Sequence, residues 1–403
     1  MTTEISQTSD QLSRLLASKP DEAYNWHKLG LAYAREGLTE ELLDLCDQAA
    51  PKFGNHIRFF QNLAIDLSER QEWSIFETLA RDIPHERLEW PIIIYYLGCQ
   101  QIVAERYVDA LDFFHKFKKS VLPRHRAYPL KDDANLNTLF RQGTLPERLE
   151  ETKMILKNSD AKIPKPEIMQ SYQRVDDSSY VVAISADKRY FLRFADELFK
   201  GYADLGVREP IHFHLIAPNV ACYDLFERLS KEHPTLNLGW SSEPEETWHN
   251  PVYYTCARFS VVEQLLDTYK KTILFLDADS LPAIHPAHFL TELEDIHFAC
   301  VKTKRNEPAS VYQAGVMVFP DTAKTRSFAN NIFRFTMSKL ALPPVLAWML
   351  DQAALISVLT LLFETDPHFR FANLINKAQY GKTGHPIALA GQQEKGELMN
   401  TMP

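Results

Sequence analysis

The chain has 403 residues, enough for two or three domains that each bury a core. With 45% hydrophobic and 24% charged residues it is not a disordered chain. A net charge of −9 argues against broad nucleic-acid binding, and five scattered cysteines without CxxC spacing leave no evident zinc site or disulfide framework and fit a reducing cytoplasm.

Met1 to Asp10 is polar and lacks a basic-then-apolar pattern, so no secretory leader is expected. A repeat follows. Leu29-Gly30, Leu63-Ala64 and Leu97-Gly98 recur every 34 residues (29, 63, 97), with Trp26, Phe60 and Ile94 at one shared offset before them. Ala110 and Phe114 hold the small and aromatic positions of the third unit's second helix, whereas Phe76 stands where the second unit would carry a small residue. This pattern resembles the tetratricopeptide repeat, so three helix pairs are expected between about Asp21 and Val121. The small residue of each unit lets neighbouring helices approach closely. Plain helical packing with accidental periodicity is the alternative.

From Leu122 to Asp177 prolines punctuate a polar stretch, read as a partly helical linker with a helix over Pro146 to Leu156. From Ser178 strands and helices alternate. Strands are expected at Tyr180–Ser185, Ile211–Ile216, Leu236–Trp240 and Ile273–Leu276, and helices at Arg189–Tyr202, Tyr223–Lys231 and Val252–Tyr269. Such alternation gives a mostly parallel sheet covered on both faces. The fold class is therefore α/β, with an all-α repeat region at residues 1–121, the linker at 122–177 and the sheet domain at 178–403. Val345 to Phe363 is nearly continuous in apolar residues, but Asp351 and Gln352 interrupt it. A central Asp costs about 2.5–3.5 kcal/mol in a membrane span, so a buried helix is expected and no transmembrane segment.

The apolar run Ile273 to Leu276 leads directly into Asp277, Ala278 and Asp279. In open α/β sheets the ligand crevice lies outside the carboxyl ends of the strands. Two carboxylates there suit Mg²⁺ or Mn²⁺, which in turn can hold a diphosphate. An Asp-rich turn ending a strand is the plainer reading. No G-x-G-x-x-G follows the first strand, and Gly381-Lys382-Thr383 lacks the first glycine of a P-loop, where Asn376 stands. His212 and His214 alternate on one strand face and read as structural.

Tyr254 to Pro282 adds specificity. Ala257-Arg258-Phe259 opens a helix, and Lys271-Thr272-Ile273-Leu274-Phe275-Leu276-Asp277-Ala278-Asp279-Ser280 follows. Val311 to Phe319 contains Gln313-Ala314-Gly315, and Asp351-Gln352 comes later. Together these resemble the GT-A fold glycosyltransferases of the glycogenin and lipopolysaccharide galactosyltransferase type (glycosyltransferase family 8), over about Ser178 to Gly391. The resemblance implies that Asp277 and Asp279 hold Mn²⁺ or Mg²⁺ on a nucleotide-sugar, with a late histidine, here His385, as third ligand. It implies that Arg258 lies near the phosphates or orients the first Asp, and that Lys382 contacts phosphate. Ala183, Asp187 and Tyr190 would meet the nucleoside, with Asp187 equally read as a helix N-cap. Gln313, Ala314 and Gly315 would lie along the donor sugar, Gln313 replacing the family's Asn. Asp351 would bond donor-sugar hydroxyls, and Gln352 would lie near the anomeric carbon. The family's closing Lys-Pro-Trp is missing after His385, which leaves a surface-loop histidine as the alternative.

The expected activity is transfer of a hexose from a nucleotide-sugar, first of all a UDP-sugar, to an acceptor hydroxyl of a glycan, glycolipid or protein, with retention at the anomeric carbon. The helical repeats would bind a protein partner or the acceptor. The expected location is cytoplasmic, or peripheral at the inner membrane face. A nucleotide-sugar-binding scaffold without turnover is the competing reading. A nucleotidyltransferase is disfavoured, because no Gly-rich loop follows the first strand.

Overall fold

The computed structural model describes residues 8–53, 56–121, 149–159, 167–170, 178–244, 251–280, 282, 284–303, 311–340 and 350–374. The chain forms two compact units, residues 1–151 with 304–308 and residues 152–303 with 309–403.

Among the described residues of the first unit seven helices follow one another: α1 (Ser9–Ser18), α2 (Ala23–Glu36), α3 (Thr39–Phe53), α4 (His56–Glu69), α5 (Trp73–Asp82), α6 (Trp90–Val103) and α7 (Tyr107–Val121). Thr8 and Gln11 form a reciprocal capping box on α1. Gly37, at φ +71°, ends α2 in the left-handed conformation that glycine tolerates. The residues repeating every 34 positions are where helices meet. A Cβ on Gly30 would stand 2.7 Å from Leu63 of α4, and one on Gly98 would stand 2.6 Å from Phe114 of α7. Phe76, in the unit lacking the small residue, is fully buried and stacks on Tyr96 with ring centroids 5.3 Å apart. Large Phe76 therefore fills its site by an aromatic pair rather than by close backbone approach. Residues Pro91 to Cys99 of α6 are buried on every face, which explains a helix without an apolar stripe. Gly98→Val is expected to lower stability by about 1–3 kcal/mol through overpacking against Phe114. An unchanged urea midpoint would show instead that Phe114 moves aside freely.

Helix α8 (Leu149–Asn158) contains the boundary between the units in sequence, and the second unit holds an eight-stranded sheet with strand order β1-β4-β3-β2-β5-β7-β6-β8. The strands are β1 (Glu167–Gln170), β2 (Tyr180–Asp187), β3 (Pro210–Ile216), β4 (Asn237–Glu243), β5 (Thr272–Asp277), β6 (Phe298–Lys302), β7 (Tyr312–Phe319) and β8 (Phe371–Asn373). Strands β4, β3, β2 and β5 run parallel; β1 and β7 join this block antiparallel, β6 pairs antiparallel with β7, and β8 runs parallel to β6. The helices are α9 (Lys188–Asp204), α10 (Val220–Glu232), α11 (Pro251–Cys256), α12 (Arg258–Tyr269), α13 (Ala323–Leu340) and α14 (Leu350–Thr365). The edge strand β1 falls in the segment read as linker, and no apolar alternation in Glu-Ile-Met-Gln marks it.

The alternation of β2, β3 and β5 divides the sheet into two faces. Val182, Ile184, Ile211, Phe213, Leu215, Leu274 and Leu276 share one core with Phe191, Phe194, Phe199 and Phe226 of α9 and α10. Ala183, Ser185, His212, His214, Phe275 and Asp277 therefore face the other side. Strand β4 continues to Glu243, past the expected end at Trp240, because Ser241 and Glu243 are buried polar residues of that second face. Among the described residues no helix is long and apolar enough to cross a membrane. Asp351 lies buried in the first turn of α14.

Candidate active site

Asp277 ends the central strand β5 and pairs in register with Ser185 of β2. A turn closed by the Ser280 amide on the Asp277 carbonyl (3.0 Å) carries the chain past Asp279. Ala278, between the two carboxylates, belongs to the apolar core. Asp279 is buried, whereas 30% of the Asp277 side chain is exposed.

Arg258, the first residue of α12, is buried beside them. Its Nη1 pairs with Asp277 Oδ1 and donates to the Ala314 carbonyl (2.7 Å), while Nε donates to the Thr255 carbonyl (2.9 Å). Burial opposes the guanidinium charge, but Asp277 and Asp351 outweigh it and raise its pKa. Arg258 thus acts on Asp277 and on backbone. It ties the end of β5 to β7.

The pairing of β6 with β7 explains why Ala314 is available. Ala299 pairs with Val318 and Cys300 with Met317, but Val301 pairs with Gln313. Residues Ala314 to Val316 are skipped on that side. Such an irregularity re-aims backbone groups, and here the Ala314 carbonyl meets Arg258. A Cβ on Gly315 would lie 3.1 Å from Asp277 Oδ2. Glycine therefore leaves open space beside the one Asp277 oxygen that Arg258 does not hold. Gln313 is half-buried next to this bend.

Asp351 is buried, and its Oδ1 accepts from the Gln352 amide at 2.9 Å. Burial raises its pKa to about 6; Arg258 opposes the rise and Asp277 adds to it. Cys256 adjoins the same charges and burial raises its thiol pKa, so it is an inert thiol. Because the folded carboxyl holds its proton more tightly than an unfolded one, its favourable contribution is full below about pH 4. It is lost as pH rises to about 6. A rise from the ordinary aspartate value of 3.8 to about 6 corresponds to a penalty of about 3 kcal/mol at neutral pH. Asp351→Asn, in EDTA, is accordingly expected to flatten this slope and to unfold at higher urea than wild type at pH 7. A variant less stable than wild type at pH 7 would contradict this.

The remaining candidates divide. Asp187 caps α9, its Oδ1 accepting from the Tyr190 amide at 2.8 Å, so the N-cap reading holds. Tyr190 is half-buried against Phe194. Ala183 is 0% exposed and pairs with Phe275, two residues before Asp277. Ala183 thus lies deeper in the sheet than the Asp277 level, on the same face. The residue of β2 at the level of Asp277 is Ser185, which the sequence reading passed over. Gln352 is half-buried beside Asp351. Lys382 and His385 lie outside the described residues.

Among the described residues no group of three His, Cys, Asp or Glu side chains is placed to hold a metal ion. Asp277 and Asp279 supply hard carboxylate donors, and the gap at Gly315 leaves room beside Asp277 Oδ2. That chemistry fits Mg²⁺ or Mn²⁺ completed by a ligand's own oxygens.

Comparison with solved structures returns glycosyltransferases. The WbbM bifunctional glycosyltransferase is 16% identical over 51% of this chain and 40% of its own, with a TM-score of 0.36. The glycosyltransferase GlyE of Streptococcus pneumoniae TIGR4 is 13% identical over 56% of this chain and 50% of its own, at a TM-score of 0.37. The galactosyltransferase LgtC, solved with donor and acceptor sugar analogues, is 14% identical over 48% of this chain and 73% of its own, at a TM-score of 0.31. The chain thus spans half or less of the length of the first two. No family model matches the sequence, and no curated protein matches it.

Proposed function

We propose that the second unit is a nucleotide-sugar glycosyltransferase of the GT-A, family 8 type. It would transfer a hexose, first of all from a UDP-sugar, to an acceptor hydroxyl with retention. The observation that carries this reading is the placement of Asp277 and Asp279 at the carboxyl end of the central strand, beside Gly315 and the buried Arg258. Asp277 and Asp279 would hold Mn²⁺ or Mg²⁺, with His385 as third ligand. The bound cation would supply charge neutralisation on the departing diphosphate.

The protein's own residues bind and orient. Arg258 fixes the rotamer of Asp277, so that Oδ2 faces the ligand. Gly315 admits the donor close to the backbone. Asp351 would accept hydrogen bonds from donor-sugar hydroxyls, Gln352 would lie near the anomeric carbon, and the Gln313 amide would bond a sugar hydroxyl. Its buried position keeps Asp351 out of water and aligned by the Gln352 amide. Asp187 would act through Tyr190, whose ring would stack near the nucleobase, and Lys382 would meet phosphate. The helical first unit, read as tetratricopeptide-like, would bind a protein partner or the acceptor.

The test is release of nucleoside diphosphate from a panel of UDP-, GDP- and CDP-sugars with Mn²⁺ or Mg²⁺. Release is expected with one donor class, falling by about a hundredfold or more in Asp351→Asn, a loss in the range for removing one key polar group from an active site. No release from any donor, with binding retained, would favour the scaffold reading, which Gln313 and the missing Lys-Pro-Trp motivate.

A further inference from the structure

The second sheet face carries a run of buried polar side chains that touches none of the candidate site residues directly. The Tyr269 hydroxyl meets His212 Nδ1 at 2.6 Å, and His212 Nε2 meets Ser241 Oγ at 2.8 Å. His214 Nδ1 meets the same Ser241 Oγ at 3.0 Å. His214 Nε2 faces Glu243 Oε2 across 3.5 Å, and the Tyr253 hydroxyl donates to Glu243 Oε1 at 2.7 Å. All six residues are buried, and burial, with His214 adding, takes the His212 pKa down to about 3. His212 is therefore a neutral imidazole.

Stability alone does not call for such an arrangement. Apolar side chains of similar volume pack a core as well or better, because six polar groups must first be stripped of water. Its location offers a different reason. Tyr253 lies in α11, and Tyr269 is the last residue of α12. The Ala257 amide bonds the Tyr253 carbonyl at 2.8 Å, one turn before Arg258. Both ends of residues 251–269 are thus tied by a phenol to strands β3 and β4. Arg258, between those ties, grips Asp277 and Ala314. The chain also reaches the level of the site: Ser241 pairs with His214, His214 with Ser185, and Ser185 with Asp277.

We infer that the chain Tyr269–His212–Ser241–His214–Glu243–Tyr253 is a positioning array that sets α11 and α12 against the sheet and so holds Arg258 on Asp277. The hydrogen-bonded run Tyr269–His212–Ser241–His214 and the Glu243–Tyr253 pair meet where His214 Nε2 and Glu243 Oε2 approach at 3.5 Å without a hydrogen bond, so each tyrosine anchors its own end of residues 251–269 and cutting either loosens that end. The array acts through Arg258 and touches no substrate. Its importance for metal binding rests on the reading of Asp277 given above; its hold on Arg258 does not.

The test uses the full chain with Tyr253→Phe, Tyr269→Phe and the conservative Glu243→Gln. Two readouts are followed well below the unfolding midpoint. One is solvent exchange of the Arg258 Nε–H by ¹⁵N NMR; the other is affinity for Mn²⁺ alone by water-proton relaxation. Each Tyr→Phe change is expected to speed Arg258 exchange about tenfold and to weaken Mn²⁺ about tenfold, a shift of about 1.4 kcal/mol. Glu243→Gln still accepts from Tyr253 and can donate to His214, so its exchange should stay within about twofold of wild type. Unchanged Arg258 protection in both Tyr→Phe variants, whatever their melting midpoints, would overturn the inference, since a packing role moves the midpoint alone. If Tyr253→Phe does not fold, Tyr269→Phe decides. A wild type that binds no Mn²⁺ while the exchange effect stands would sink the metal reading and leave the array intact.

Discussion

Arg258→Ala is expected to cost about 3–5 kcal/mol of stability, the range for stripping one partner from a buried ion pair. The guanidinium makes an ion pair with Asp277 and donates to the Ala314 and Thr255 carbonyls. Removing it leaves two carbonyls short of a donor and two carboxylates, Asp277 and buried Asp351, facing one another without a cation. Repulsion between them can be relieved by protonation, so the loss should be larger at pH 8 than at pH 5. Arg258→Lys should recover only part of it. A single ammonium is a point charge and cannot reproduce the fork that reaches a carboxylate, a strand carbonyl and a helix carbonyl together. Urea unfolding at the two pH values measures this. A loss below about 1 kcal/mol at pH 8 would mean that Arg258 is an ordinary surface-type contact.

The second large effect is expected from one methyl group. Gly315→Ala places a Cβ 3.1 Å from Asp277 Oδ2. Either the carboxylate or the strand must give by a few tenths of an ångström. Asp277 cannot give easily, because Arg258 holds its other oxygen. The methyl also occupies the space in which a ligand would meet Oδ2. The fold should survive, since no left-handed backbone is required at this position and the site borders open space. Mn²⁺-dependent nucleotide affinity should fall at least tenfold, about 1.4 kcal/mol or more. Isothermal titration with UDP and Mn²⁺ on folded Gly315→Ala reads it. Wild-type affinity in that variant would remove Gly315 from the site.

What could be read from the residues alone depended on apolar periodicity. The strands over Tyr180, Ile211 and Ile273 and the helices between them followed from runs of core residues, and the Asp277–Asp279 pair was visible because it interrupts such a run. The end of β4 was not visible. Ser241 and Glu243 look like a polar exit from a strand until the histidines of β3 and Tyr253 are brought beside them, and that meeting is between residues distant in sequence. The skip at Ala314 to Val316 was hidden for the same reason: registers between strands leave no local pattern. Arg258 was singled out from its place in the motif, but its grip on the Ala314 carbonyl joins residues distant in sequence and left no local sign. Ala183 was placed at the site from its neighbours in the motif; the register that sets it two residues before the Asp277 level, on the same face, could not be read from the residues alone.

Asp277 and Asp279 are proposed to form a divalent-cation and nucleoside-diphosphate site. The most direct measurement is calorimetric titration of the full chain with UDP, GDP, CDP and ADP, each in Mn²⁺ and in EDTA, repeated on Asp277→Asn. Binding of one nucleotide that requires Mn²⁺ and disappears in folded Asp277→Asn is the predicted result, and it would name the base of the donor. Binding of no nucleotide in either condition, or binding that is indifferent to both Mn²⁺ and Asp277, would contradict it.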